Sequence, residues 1–439
     1  MTYDRIIYNG CVIPVNPAFD IIYDGMVAIR DGRIARVEKK PSDFDAYQAD
    51  DWVDAAGGLI LPGLVNTHVH LPMSLFRGLA DDLPLSEWLN DHIFPAEFRY
   101  INEAAIKVGT RVSCLEMLLS GTTTCCDGYF LEDAVAEAVL ETGMRGVLAQ
   151  GVIDFPAPGS PDPARDVETA AAYVSRWQGE SDRLTPSIFC HSPYTCSAET
   201  LVRAKAAAAK AGVRFQIHVA ETRGEPDQIA GADALSPVKY LDRLGILDEQ
   251  TLISHAVWVD EADTAILAAK KVNISHNPES NMKLASGVAP VPHFLSAGIL
   301  VGLGTDGCAS NNNLDMFMEM DTAAKLHKVM ANDPTVMDAK TVLRMATIEG
   351  ARAIGLDDWI GSIECGKEAD LIVVEIRKPH LTPMYHPESH LVYAVRGADV
   401  RDVFIGGEVR VRNGEVIGLD ADETMQAAAA LGSRIWQTD

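Results

Sequence analysis

No Cys-x-x-Cys pair occurs among the eight cysteines, Cys11, Cys114, Cys125, Cys126, Cys190, Cys196, Cys308 and Cys365. That absence excludes the usual spacing of cysteine-rich structural zinc and of a thioredoxin-like redox centre. Free thiols in a reducing compartment are the expectation instead. No stretch approaches the ~18 uninterrupted apolar residues of a membrane-spanning helix. The opening residues, Met1-Thr2-Tyr3-Asp4-Arg5-Ile6-Ile7-Tyr8, have neither a basic segment leading into an apolar core nor a cleavage site, so a cytoplasmic location is expected. Basic residues are scarce: 37 Lys and Arg against 62 Asp and Glu leave a net charge of −25, which disfavours nucleic acid and anionic membranes as partners. A small molecule is the expected partner. No Gly-x-Gly-x-x-Gly turn follows any candidate strand, which ranks an open dinucleotide-binding sheet second among the topologies.

What is present is a change of texture along 439 residues. Residues 3 to about 57 alternate apolar and polar side chains, broken by Asn9-Gly10 and Asp31-Gly32, the pattern of a small antiparallel β unit. The same texture returns after Gly361, in Leu371-Ile372-Val373-Val374, Val403-Phe404-Ile405 and Val409-Arg410-Val411, with a turn at Asn413-Gly414. One β-sandwich built from both ends is the economical reading. Between them, short apolar strands alternate with helices: Leu59 to Asn66, Thr122 to Asp127, Gly146 to Val152, Thr185 to Cys190, Arg214 to His218, Thr251 to His255, Val272 to His276 and Ile299 to Asp306. Strand then helix, repeated eight times, predicts a closed parallel (β/α)8 TIM barrel. The expected division is therefore residues 1–57 as the first part of the sandwich, 58–358 as the barrel, and 359–439 as the second part with a C-terminal helix.

Active groups of such barrels sit at the C-terminal ends of the strands. Those ends carry His68 and His70, Cys190-His191, His218 followed by Glu221, His255, His276 and Asp306. Of the 12 histidines the remainder, His92, His293, His327, His380, His386 and His390, are scattered through helices and loops, where solvated or core roles are expected. Converging buried imidazoles need a metal, a substrate or catalysis to justify them. In a strand, His68 and His70 point to one side. Neutral imidazoles with one carboxylate form the donor set of catalytic rather than structural zinc, and His68, His70, His218 and Asp306 fit it. The fourth strand ends in Phe189-Cys190-His191-Ser192 without a bridging acid, so one metal is expected. Glu221 stands just past a ligand, where a general acid and base belongs. His255 is placed to orient the attacking oxygen; Ser275-His276-Asn277-Pro278 and Ser280-Asn281 read as a supporting loop.

Pro62-Gly63-Leu64-Val65-Asn66-Thr67-His68-Val69-His70, His218-Val219-Ala220-Glu221-Thr222, Ser275-His276-Asn277-Pro278 and Gly304-Thr305-Asp306-Gly307 resemble the amidohydrolase superfamily, in its branch of triazine hydrolases and nucleoside or nucleobase deaminases. Within that branch Trp88-Leu89, Phe94-Pro95-Ala96-Glu97 and His191-Ser192-Pro193-Tyr194 are similar to the 5-methylthioadenosine/S-adenosylhomocysteine deaminases. The resemblance implies one Zn2+ per subunit, with Fe2+ or Mn2+ as alternatives, a homo-oligomer, and hydrolytic deamination of a 5'-substituted adenosine to its inosine derivative and ammonia. It implies that Glu97 takes the ribose diol, Trp88 lines the pocket, and His191 hydrogen-bonds the purine. Glu221 would carry the proton, with His255 and Asp306 activating the attacking oxygen and Glu221 and Asp306 also touching substrate. Family members that accept the homocysteine carboxylate have an arginine where this chain has Gln150, which favours 5'-methylthioadenosine unless Arg165 replaces it. Two other readings stand beside this one: a related enzyme acting on a guanine-type or triazine ring, which would not need Glu97 and Trp88, and a silent ligand-binding barrel, which would not need Glu221.

Overall fold

The computed structural model describes residues 2–229 and 235–436. Both chain ends build one nine-stranded mixed sheet. The N-terminal share is β1 (Thr2–Val12), β2 (Ile22–Arg30), β3 (Arg33–Lys39), β4 (Gln48–Asp54) and β5 (Leu59–Pro62). Side chains on β1 and β2 alternate between two apolar clusters: Ile7, Val27 and Ile29 pack with Leu371 and Phe404, while Ile6, Met26 and Ala28 pack with Tyr3. This period of two is what the alternation in sequence dictates.

The barrel follows, from β6 (Leu64–Val69) through β7 (Thr122–Tyr129), β8 (Arg145–Val152), β9 (Leu184–Cys190), β10 (Phe215–Val219), β11 (Thr251–His255) and β12 (Asn273–His276) to β13 (Val301–Leu303). The strands lie in chain order in one eight-stranded sheet. Nearly every strand residue is buried, as expected of parallel strands covered on both faces. The Asp306 amide donates to His68 O at 2.9 Å and Thr67 Oγ1 donates to Leu303 O at 2.9 Å, so the last strand closes on the first. Helix limits follow local chemistry: Ser197 caps Ala198–Ala211 by accepting from the Thr200 amide, and Gly212, at φ +69°, ends that helix.

The remaining strands, β14 (Leu371–Val374), β15 (Val400–Ile405), β16 (Glu408–Arg412) and β17 (Glu415–Val416), return to the terminal sheet. There β5 joins the two ends of the chain, pairing parallel with β1 and antiparallel with β14.

The apolar run Leu59 to Asn66, expected as one barrel strand, is instead divided at Gly63 between the terminal sheet and the barrel. The mark of the change of sheet is the Pro62-Gly63 pair inside an otherwise apolar run. The Gly63 amide donates to Asp370 O and the Leu64 amide to Gly121 O, so consecutive residues bond to different neighbours. By their contacts the residues group into two compact units, Met1–Val65 with Leu115–Thr124 and Asp315–Leu419, and Asn66–Cys114 with Cys125–Leu314 and Asp420–Asp439. Among the described residues no helix is long and apolar enough to cross a membrane. All eight cysteines are free.

Gly63 admits no side chain, because a Cβ there would lie 2.6 Å from Thr123 Cβ and closer still to its branch atoms. Gly63→Ala is expected to destabilise the fold by ~1–3 kcal/mol through overpacking. Denaturant unfolding checks this, and adding Thr123→Gly should recover part of the loss.

Candidate metal centre and substrate cavity

Four strand ends bring His68, His70, His218 and Asp306 together, with one ligand atom from each lying within 4.8 Å of all the others. Nε2 of His68 and of His218 face each other at 3.1 Å, and Asp306 Oδ1 lies 3.4 Å from His68 Nε2 and 3.3 Å from His70 Nε2. The approach of the last strand to the first depends on Gly304, where a Cβ would stand 2.8 Å from the His68 amide nitrogen. Asp306 is then fixed by its own surroundings. The Gly307 amide donates to Oδ1 at 2.8 Å, and Ser280 and Ser310 hydroxyls donate to Oδ2 at 2.8 and 3.0 Å.

The protonation states suit a cation. Burial pushes His68 down to about 4 and His218 well below the usual imidazole range, so both are neutral at pH 7. Burial would raise Asp306, but hydrogen bonding to His68 and electrostatic interaction with His68, His255 and His70 outweigh it and hold the carboxyl well below its usual range. His70 Nδ1 donates to Gly128 O at 2.7 Å, which leaves the lone pair on Nε2, the nitrogen beside Asp306. Three neutral imidazoles and one carboxylate, each oriented by a further hydrogen bond or by packing, fit a divalent cation with nitrogen preference.

Glu221 and His255 stand beside the cluster. Burial raises Glu221 above the usual carboxylate range. Burial would lower His255, but the Glu221 and Asp306 carboxylates prevail and raise it. His255 Nδ1 donates to Asn281 Oδ1 at 2.9 Å, turning Nε2 toward Glu221 Oε2, 3.8 Å away. The turn that presents Glu221 is strained, with Ala220 at φ +54°. Glu225 holds it: Oε2 accepts from the Ala220 amide at 2.8 Å, and Oε1 accepts from the Glu221 and Thr222 amides at 2.5 and 3.1 Å.

A cavity opens from this group and is lined by His70, Trp88, Glu97, His191, His218, Glu221, His255 and Asp306. Eight of the ten residues proposed from sequence thus line it; His68 lies fully buried behind it. Glu97 is buried, which pushes its carboxyl up to about 7, and it accepts a hydrogen bond from the Tyr129 hydroxyl. Trp88 opens a π-helical turn, Trp88–Ile93, a rare local form that recurs at functional sites. His191 is held by Thr195, whose hydroxyl lies 3.0 Å from Nδ1, and burial keeps its ring neutral with a pKa of about 3.

Gln150 does not line the cavity: its Oε1 accepts from the Glu132 amide at 3.1 Å and its Nε2 donates to Gly151 O at 3.2 Å. Arg165 is exposed on a short helical turn and does not line the cavity either. Sequence reasoning did not single out Tyr129 or Glu225, and it quoted Ser310 only within the motif Ser310-Asn311-Asn312, without a role. Only Glu225 had a local signal, an acid four residues after Glu221 on a turn rich in unpaired amides.

A parallel barrel whose mouth gathers three imidazoles and a carboxylate around a buried glutamate defines a metal-dependent hydrolase. Comparison with known proteins places it further: the model of the amidohydrolase family matches residues 59–410, and the chain belongs to that family. It is 46% identical over 426 residues, 96% of each chain, to the 5-methylthioadenosine/S-adenosylhomocysteine deaminase of Syntrophobacter fumaroxidans. It is 46% identical over 413 residues to the 5'-deoxyadenosine deaminase of Methanothermobacter thermautotrophicus, covering 94% of this chain and 95% of that one. The crystal structure of an adenosine deaminase from Xanthomonas campestris with bound zinc superposes with a TM-score of 0.96 at 36% identity, covering 99% of each chain.

Because Glu225 alone satisfies three amides of the strained turn, replacing one of its oxygens by an amide group sets a donor against a donor. Glu225→Gln is expected to lower kcat roughly 10- to 100-fold with bound metal unchanged, the size expected when one hydrogen bond to a charged group is lost. Steady-state kinetics beside metal analysis checks it; an unchanged kcat would show that the turn holds itself.

Proposed function

We propose that this hydrolase acts on the cyclic amidine of a 5'-substituted adenosine, replacing the 6-amino group by oxygen to give the inosine derivative and ammonia. 5'-Methylthioadenosine, S-adenosylhomocysteine, 5'-deoxyadenosine and adenosine are the candidate substrates. The observation that carries this reading is one cavity with two buried carboxyls of different surroundings: Glu221 next to the metal ligands, and Glu97 beside Tyr129 and Trp88. A ring without a sugar would leave Glu97 with nothing to bind. The relatives named for adenosine-type substrates support the same choice.

The proposed metal is a single zinc ion held by His68, His70, His218 and Asp306; the zinc in the Xanthomonas structure supports that identity. A divalent cation in such a site lowers the pKa of water toward ~7 and so supplies a nucleophile at neutral pH. The protein's own groups do the rest. Glu97 accepts hydrogens from the ribose hydroxyls and sets the depth of the nucleoside. His191, neutral and held by Thr195, offers its other ring nitrogen to the purine. Glu221 carries one proton of the attacking water to N1, which makes C6 electrophilic, and then relays to the departing amine the second proton, which Asp306 takes from the attacking oxygen. His255, with Nδ1 committed to Asn281, turns Nε2 to the attacking oxygen, and the Asp306 carboxylate accepts its proton. Water adds at C6, the C6–N bond breaks, and ammonia leaves.

Spectrophotometric assay of adenine nucleosides for loss of the 6-amino group tests the function directly, and inactivity on all four candidates would reject it. Glu221→Gln keeps the shape but not the proton transfer, so bound zinc should stay while kcat falls by ~10² to 10⁴. A nearly unchanged rate would assign the proton to another group.

Glu97 also gives a pH signature. Its carboxyl titrates at about 7 because burial raises it. Above that pH the ionised group accepts both ribose hydrogens; as pH falls through about 7 it is protonated and loses acceptor capacity. The ratio of kcat/KM for a ribonucleoside to that for its 2',3'-dideoxy counterpart should therefore fall with falling pH, and should be flat in Glu97→Gln.

A further inference from the structure

Beyond the inner cavity lies a wider chamber of about 1200 Å³. The two are continuous, since Leu85, Leu89, Phe94, Tyr194 and Leu284 wall both. The helix Phe94–Tyr100 also links them, because Glu97 faces the inner cavity and Phe98 the outer chamber. With the purine at the metal ligands and its ribose at Glu97, as proposed above, a 5' substituent would extend toward the outer chamber.

Two cations line that chamber, Lys283 and Arg223. Lys283 is already neutralised, with Nζ 2.6 Å from Asp81 Oδ1. Arg223 has no carboxylate partner among the described residues; its guanidinium carbon lies 5.6 Å from the centroid of the Trp258 ring. That ring is itself fixed by its Nε1 donating to Ser286 O at 2.7 Å. An aromatic face holds a guanidinium through its π surface and leaves the in-plane N–H donors free, the fork that matches a carboxylate.

We propose that Arg223 is the anion seat of the outer chamber and takes the carboxylate of an amino acid carried on the 5' carbon of the nucleoside. The proposal rests on the adenosine-deaminase reading above and replaces Gln150 and Arg165 as the residues that decide whether S-adenosylhomocysteine is a substrate. Gln150 is engaged by backbone groups, and Arg165 lines neither cavity nor chamber.

The test is steady-state kinetics of the wild-type enzyme and of Arg223→Met, Arg223→Lys, Lys283→Met and Arg165→Met on 5'-methylthioadenosine and S-adenosylhomocysteine. Arg223→Met should lower kcat/KM for S-adenosylhomocysteine by ~10- to 100-fold, the scale of a lost charge-assisted pair. The loss should appear in KM, while the value for 5'-methylthioadenosine changes less than about twofold on the same scale. Arg223→Lys should recover part of the loss, and Arg165→Met should change neither substrate. Equal losses on both substrates in Arg223→Met, no loss on either, or a selective loss in Lys283→Met instead would overturn the proposal while leaving the deaminase reading intact. So would a wild type that deaminates only 5'-methylthioadenosine. A wild type inactive on both but active on adenosine or 5'-deoxyadenosine overturns the proposal alone, and one inactive on all four nucleosides overturns the two together.

Discussion

The barrel mouth depends on keeping one carboxylate ionised where there is almost no water. Asp306 is nearly fully buried, and an isolated carboxylate there would cost several kcal/mol to desolvate. Its charge is held by one backbone amide, two serine hydroxyls and the imidazoles around it. Those same imidazoles are neutral because they too are buried. The result is a set of lone pairs aimed at one point with a single negative charge among them, which favours a divalent cation over either protons or an internal ion pair.

Convergence of that kind has a local backbone cost. Asp306, His255 and Ala220 have φ values of +62°, +74° and +54°, in the left-handed region that residues other than glycine rarely adopt. Such strain persists only where neighbours over-determine the chain. At Ala220 the neighbour is Glu225; at Asp306 it is the hydrogen bond from its own amide to His68 O, which also closes the barrel. The bond that completes the fold therefore aims a ligand as well, so closure of the barrel and assembly of the site are one event.

This explains which parts were legible in the sequence. The metal ligands were, because strand ends of a parallel barrel all open on one face, and a histidine there has few other reasons to be buried. Glu221 was legible because it follows His218 closely in the chain. Tyr129 was not, since it acts on a partner brought near only by the fold: it is 32 residues from Glu97, and a tyrosine alone carries no sign of that. Gln150 was misjudged for a related reason. The strand Arg145–Val152 is buried along its whole length, so no alternation of polar and apolar residues tells which side chains face inward. The break at Gly63 had a signal in Pro62-Gly63, but the strands on either side of it are buried throughout, so no change of pattern showed that the run crosses between two sheets.

Charge separates the two levels at which a substrate is chosen. A net charge of −25 repels an anionic ligand from the protein as a whole, but at physiological salt exposed charges are screened beyond ~8 Å. Within that range the outcome belongs to the few groups at the chamber wall, where the pairing of Lys283 with Asp81 removes one cation and the stacking of Arg223 on Trp258 keeps another. An acidic chain can therefore still select an anionic substrate, provided one cation is held by a face that carries no negative charge. An aromatic ring does this and a carboxylate cannot, which is why the guanidinium and the ammonium of the same chamber are not equivalent.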